Sequence, residues 1–171
     1  MAKHHNISGE LTQELLAAGD GVKVNKISLT NTQKISSCNV DLYIEKKLTG
    51  KFYLLKGMEL PIGATLIYDD IKFSTDTGEF GLYIKLTDGP SFTLTGTIDV
   101  TGTNVNVPGS STLFLSQLSI GDEVVISGET RTVATITSDT AATVTAAFGS
   151  DLDNDLTPDC NPTALVDVII N

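Results

Sequence analysis

The chain has 171 residues, 40% of them hydrophobic, and a formal net charge of -10. This is the composition of a folded protein with one large domain or two small ones, and its acidic balance argues against nucleic acid and anionic membranes, whose phosphates call for clustered Lys and Arg. No apolar run approaches the roughly 20 residues of a membrane span, and the opening MAKHHNISGE lacks the apolar stretch of a secretory signal.

Residues 1–21 read two ways. Leu11, Leu15 and Leu16 have helical spacing, with Glu10 and Glu14 suited to a helix start, yet the stretch is short and could equally be an extended arm. Residues 22–30 read as a strand whose phase slips near Asn25 and Lys26, as a bulge would make it slip. Cys38, Val40, Leu42 and Ile44 alternate with Asn39, Asp41, Tyr43 and Glu45, the pattern of a half-buried antiparallel strand. A polar turn at residues 46–51 leads to a strand over 52–60, whose apolar groups on both faces predict a central position. Pro61, Ile62 and Gly63 break it. Short strands follow at 65–68 and 81–86, and this spacing with Gly and Pro turns indicates a sandwich.

The charge then changes. Residues 1–90 carry 10 basic and 11 acidic groups, whereas residues 91–171 carry 1 basic group, Arg131, and 10 acidic ones. Thirteen threonines crowd residues 91–145. A shift this abrupt predicts two units joined near Thr87-Asp88-Gly89-Pro90. Within the second, short strands are expected at 97–101 and 105–107, and one helical turn at 112–118 would place Phe114 and Leu118 as neighbours plugging a barrel end. Residues 124–127, 130–137 and 142–145 form an antiparallel meander rich in Val and Thr, with a tight hairpin at Ser127-Gly128-Glu129. Residues 151–161 read as a polar acidic loop. The final alternation at 164–170 is a strand, expected to return to the first unit and to carry Cys160 back toward Cys38. The predicted fold is therefore all-β: an antiparallel sandwich over 22–90 and 162–171, with a small five-stranded barrel or roll inserted over 91–161. Residues 1–21 are an arm or a first strand.

Chemistry is sparse in this sequence. His4 and His5 stand together on the expected arm with no third ligand, and neither cysteine has an obvious histidine partner, so no catalytic residue and no cofactor are expected. One disulfide between Cys38 and Cys160 is possible, beside two packed thiols. Asp151, Asp153, Asp155 and Asp159 resemble part of a calcium loop, but Leu156 stands where the loop needs Gly and Pro162 where it needs Glu.

Two segments resemble structural proteins of tailed bacteriophages. LTNT at 29–32, VDLYI at 40–44, YLLK at 53–56, the Pro61-Ile62-Gly63 turn and Asp69-Asp70 resemble a sandwich pattern of such virion proteins, and residues 96–144 resemble a small β-barrel module of phage tails, fibres and baseplates. The resemblance implies an opening strand within 11–18 and a closing strand at 165–170. It implies a non-enzymatic virion subunit, assembled in the host cytoplasm, that decorates the head or belongs to the neck or tail. Its partners would be other virion proteins and further copies of itself. The alternatives are a tail-fibre adhesion module with an exposed patch near 104–111, and a calcium-dependent β module built on 151–159.

Overall fold

The computed structural model describes residues 2–46 and 49–171, and of residues 153 and 154 only the backbone. The chain divides into two compact units, Met1–Asp88 with Ala164–Asn171, and Gly89–Thr163.

The first unit holds β1 (Lys3–Ser8), β2 (Thr12–Leu16), β3 (Lys23–Val24), β4 (Ile27–Asn31), β5 (Cys38–Lys46), β6 (Gly50–Leu60), β7 (Thr65–Tyr68), β8 (Phe73–Ser74) and β9 (Gly81–Thr87). The last strand of the chain, Leu165–Ile170, joins it too. Two antiparallel sheets result. One has the order β1, Leu165–Ile170, β4, β7; the other runs β2-β9-β5-β6, and β3 pairs β8 apart from both. Alternation decides what lies inside. Ile27, Leu29, Val166, Val168 and Ile170 from the first sheet join Leu16, Val40, Leu42, Leu82, Ile84 and Leu86 from the second in one buried cluster. This is the expected sandwich.

One open reading is decided and two local expectations are corrected. The helical spacing before residue 18 is carried by strands: β2 pairs β9, and a register shift between Glu14 and Leu16 lets the adjacent Leu15 and Leu16 both turn inward. The phase slip at residues 25–26 is a break between β3 and β4, which lie in different sheets; Asn25 and Lys26 both donate their N–H to the Asn171 carbonyl, at 2.7 and 3.0 Å. Finally, β6 is the outermost strand of its sheet, not a central one. Its two-sided apolar pattern comes from irregularities at Leu54 and at Lys56–Gly57, each of which shifts the alternation by one. The turn read at residues 46–51 includes 47 and 48, outside the described residues.

The second unit contains β10 (Phe92–Thr93), β11 (Thr97–Val100), β12 (Asn106–Ser110), the single turn α1 (Phe114–Gln117), β13 (Glu123–Ile126), β14 (Glu129–Ser138), β15 (Ala141–Val144), β16 (Leu152–Asp155) and β17 (Asp159–Asn161). Leu165–Ile170 is thus β18. The meander β13-β14-β15 forms as read: Ile126 faces Glu129, and Ser127 and Gly128 both take positive φ, 48° and 85°, as a two-residue hairpin turn requires. Phe114 and Leu118 are buried, but the predicted barrel is not closed. The unit is one eight-stranded sheet, β10-β17-β13-β14-β15-β12-β11-β16. Strands β16 and β17 lie six positions apart in that order, about 29 Å if the sheet were flat at ~4.8 Å per strand. The link between them, residues 156–158, spans only about 14 Å from Asp155 to Asp159. The sheet therefore curls strongly on itself. Its two end strands do not pair, because β10 has only two residues and β16 meets β11 in a broken register. The segment expected to be an acidic loop supplies β16 and β17.

Candidate assembly surface

The alternation that buries Leu42 and Ile84 sends their neighbours to the opposite face. Strand register then lines these up: Glu14 on β2 faces Tyr83 on β9, Tyr83 faces Tyr43 on β5, and Tyr43 faces Tyr53 on β6. A row of three tyrosines crosses the sheet. The Tyr43 and Tyr83 rings stack with centroids 5.7 Å apart and 12° between planes, and Tyr43 meets Tyr53 at 5.5 Å and 52°. Such offset and tilted pairs suit the ring quadrupoles.

Polar groups close both ends of the row. The Tyr83 hydroxyl donates to Glu14 Oε1 at 2.7 Å. This bond first, and burial second, push the Tyr83 phenol up to about 12. Lys51 Nζ lies 4.5 Å above the Tyr43 ring and donates to its hydroxyl at 3.2 Å, while Lys56 Nζ lies 4.7 Å above Tyr53. Shielded from three sides, Tyr43 is only 1% exposed although it sits on the outer face.

The row ends at a free strand edge. Among the described residues no strand pairs with the outer side of β6. Phe52, Tyr53 and Met58 on this strand are 49%, 43% and 41% exposed. The Phe52 ring meets Phe80 edge-on at 5.9 Å, and Lys46 Nζ, 5.6 Å from the Phe80 ring, is paired with Glu79 at 3.1 Å. An exposed edge with three large apolar side chains can bury area against another protein surface.

The residues singled out in the sequence lie elsewhere. His4 and His5 are on β1, paired opposite Ile169 and Val168, not on a solvated arm. Burial, and then Lys3, hold the His5 imidazole below its ordinary value. Both cysteines are free and buried, Cys38 on β5 in the first unit and Cys160 on β17 in the second; Cys160 does not return with β18. Burial, reinforced by Asp88, pushes the Cys38 thiol up to about 11, and burial with Asp122 beside it raises Cys160 further.

The calcium candidates do not converge. Asp151 accepts from the Gly102 N–H. Asp155 accepts from the Ser127 N–H and, at 2.9 Å, from that of Thr157, and Asp159 accepts from the Thr93 hydroxyl at 2.7 Å. The side chain of Asp153 lies outside the described residues. Among the described residues, no three His, Cys, Asp or Glu groups are placed to hold a metal ion. The described part also contains no helix long and apolar enough to cross a membrane.

No protein-family model and no curated protein matches the chain. Among solved structures, the whole chain is similar to a serine protease of Aeromonas sobria at 8% identity and a TM-score of 0.29, spanning 26% of that chain. It is similar over 99% of its length to a protein of the T13 IBDV viral particle, at 7% identity and a TM-score of 0.27, and spans 38% of that protein. Over 96% of its length it is similar to the PBSX exported protein XepA, at 10% identity and a TM-score of 0.30, covering 86% of that chain. These likenesses are too slight to bear on function.

Proposed function

We propose that the chain is a non-enzymatic structural subunit of a tailed-phage virion, an accessory part of the head, neck or tail that acts through symmetric contacts with copies of itself and with neighbouring virion proteins. The observation that carries this reading is the apolar outer edge at β6, backed by the rigid Tyr83-Tyr43-Tyr53 row. Symmetric assembly turns such a weak patch into a stable contact by repetition. The thiol chemistry supports a non-catalytic role, since both cysteines are buried and held protonated, whereas a nucleophilic thiol needs a lowered pKa. The resemblance of residues 29–70 and 96–144 to phage structural patterns supports a virion setting.

Mass spectrometry of purified particles, calibrated against the major capsid protein, tests the reading. Many copies lost with the heads would make this a decoration protein, and few copies retained on tails a neck or tail part. Absence from particles would overturn the proposal. One observation favours the adhesion alternative: a polar cleft of about 320 Å³ on the second unit, lined by Thr97, Asp99, Thr101, Pro108, Gly109 and Ser110, offers hydroxyls and one carboxylate to a polar ligand. Binding of the purified chain to an immobilised glycan panel would reveal it.

A further inference from the structure

We infer that β6 pairs antiparallel with β6 of a second copy of this chain about a two-fold axis at Leu55; this deepens the reading of the chain as an assembly subunit and rests on it. The strand is self-complementary in that one register. With Leu55 opposite Leu55, Lys51 faces Glu59, Phe52 faces Met58, and Tyr53 faces Gly57. Each contact occurs twice, as a two-fold interface demands.

The faces agree as well as the order. Lys51, Tyr53 and Glu59 oppose Glu45, Tyr43 and Asn39 of β5, which places them on the outer face of the sheet. Phe52 and Met58 oppose Ile44 and Val40, which places both on the core side. The pairing therefore sets opposite charges together on the outer face and joins a thioether to an aromatic ring on the inner one. Two of the three exposed apolar side chains of the strand, Phe52 and Met58, gain a partner. Lys51 and the two bulges would ordinarily guard an edge against pairing. Here the lysine meets a glutamate. The irregularities at Leu54 and at Lys56–Gly57 flank the axis, leaving residues 51–52 to pair with residues 58–59 as regular arms. The second bulge is locked by the Gly57 N–H donating to Asp41 Oδ1 at 2.6 Å, so it is a built feature of the strand.

Sedimentation equilibrium of the full chain should show a reversible doubling of mass with concentration. Glu59→Lys puts like charges opposite each other twice per dimer and should weaken dimerisation about tenfold or more. Lys51→Glu should do the same, and the double variant Lys51→Glu/Glu59→Lys should restore the wild-type association. Because Lys51 also covers Tyr43, Glu59→Lys and a cross-linking pair provide tests that leave that contact intact. An equimolar mixture of Phe52→Cys and Met58→Cys chains should form an intermolecular disulfide under mild oxidation, and neither variant should do so alone; Cys38 and Cys160 are buried and stay out of the reaction. A chain monomeric at every concentration, a double variant that fails to recover, or cross-linking within either single variant would overturn the inference. A monomer that is nonetheless found in particles removes the self-pairing and leaves the virion reading standing. A dimer absent from particles removes the virion reading.

Discussion

The two units bury their strands by different means. In the first, two four-stranded sheets face each other across a cluster that is aliphatic apart from Cys38, beside which the buried Asn31 amide donates to the Ser36 and Leu60 carbonyls at 3.0 and 2.9 Å. The second has one curled sheet and no facing sheet, and carboxylates hold its turns. Asp122, fully buried, accepts from the N–H of Ser119 at 2.7 Å and of Thr163 at 3.0 Å. Glu129 accepts from the Gly149 N–H at 2.8 Å, Asp139 from that of Leu115 at 3.1 Å, and Asp151 and Asp155 from those of Gly102 and Ser127. The acidic excess of the second half is thus more than a solvated surface. Several of its charges are the acceptors that turn N–H groups need when no strand lies opposite.

The largest effects should come from the two cores. Leu42→Ala and Phe114→Ala, each at a fully buried position, should cost about 3–5 kcal/mol. Hydrogen exchange should show the loss confined to the first unit for Leu42→Ala and to the second for Phe114→Ala; loss of protection throughout both would break the division. Next, Asp122→Ala removes a fully buried carboxylate from two partly buried N–H groups and should cost about 2–3 kcal/mol, read as a lowered midpoint in urea. An effect as small as that of a surface alanine would remove the carboxylate clamp from the comparison.

Acid should act on both units. The Gly149 N–H, with Ser150 and Arg131, holds the Glu129 carboxyl below the usual carboxylate range. A depressed folded-state pKa stabilises above the unfolded value and is lost as pH falls through the folded one. The Glu129 turn of the second unit should therefore lose protection as pH drops below about 4, and so should the Lys3–Asp20 contact of the first, where the Lys3 hydrogen bond holds the Asp20 carboxyl low. The smallest effect belongs to the tyrosine row. Tyr83→Phe should cost about 1 kcal/mol at neutral pH, as one surface hydrogen bond to a carboxylate does. Since its phenol is raised to about 12, this contribution is full below the ordinary tyrosine value of 10.0 and fades as pH climbs between the two. Absorbance at the phenolate band should show a late-titrating component, lost in Tyr83→Phe and brought earlier in Glu14→Gln.

Much of the local structure was written in the alternation. Cys38 to Ile44, the 81–86 stretch and Leu165 to Ile170 read as strands and are β5, β9 and β18, because side-chain direction in a strand follows from position alone. The hairpin at Ser127-Gly128 is equally local, since two positive φ values need little beyond the turn itself. Irregularities were harder. Two bulges made the edge strand β6 look like a central one, and a break between β3 and β4 looked like a bulge, because both shift the phase in the same way. The tyrosine row left one trace, tyrosines at the outward positions of β5 and β9, but no trace of which tyrosine would face which.

What the sequence by itself determined, then, is the all-β class, the position of most strands, the compositional contrast between the two halves and the scarcity of catalytic groups. These depend on residue type and on a two-residue period. Only the tertiary structure decided that the second unit is an open curled sheet, that its carboxylates hold turns, that β6 is an edge, and that three tyrosines stand in line. Each of these depends on register and on which strands lie side by side, and those are set by contacts between residues far apart in the chain.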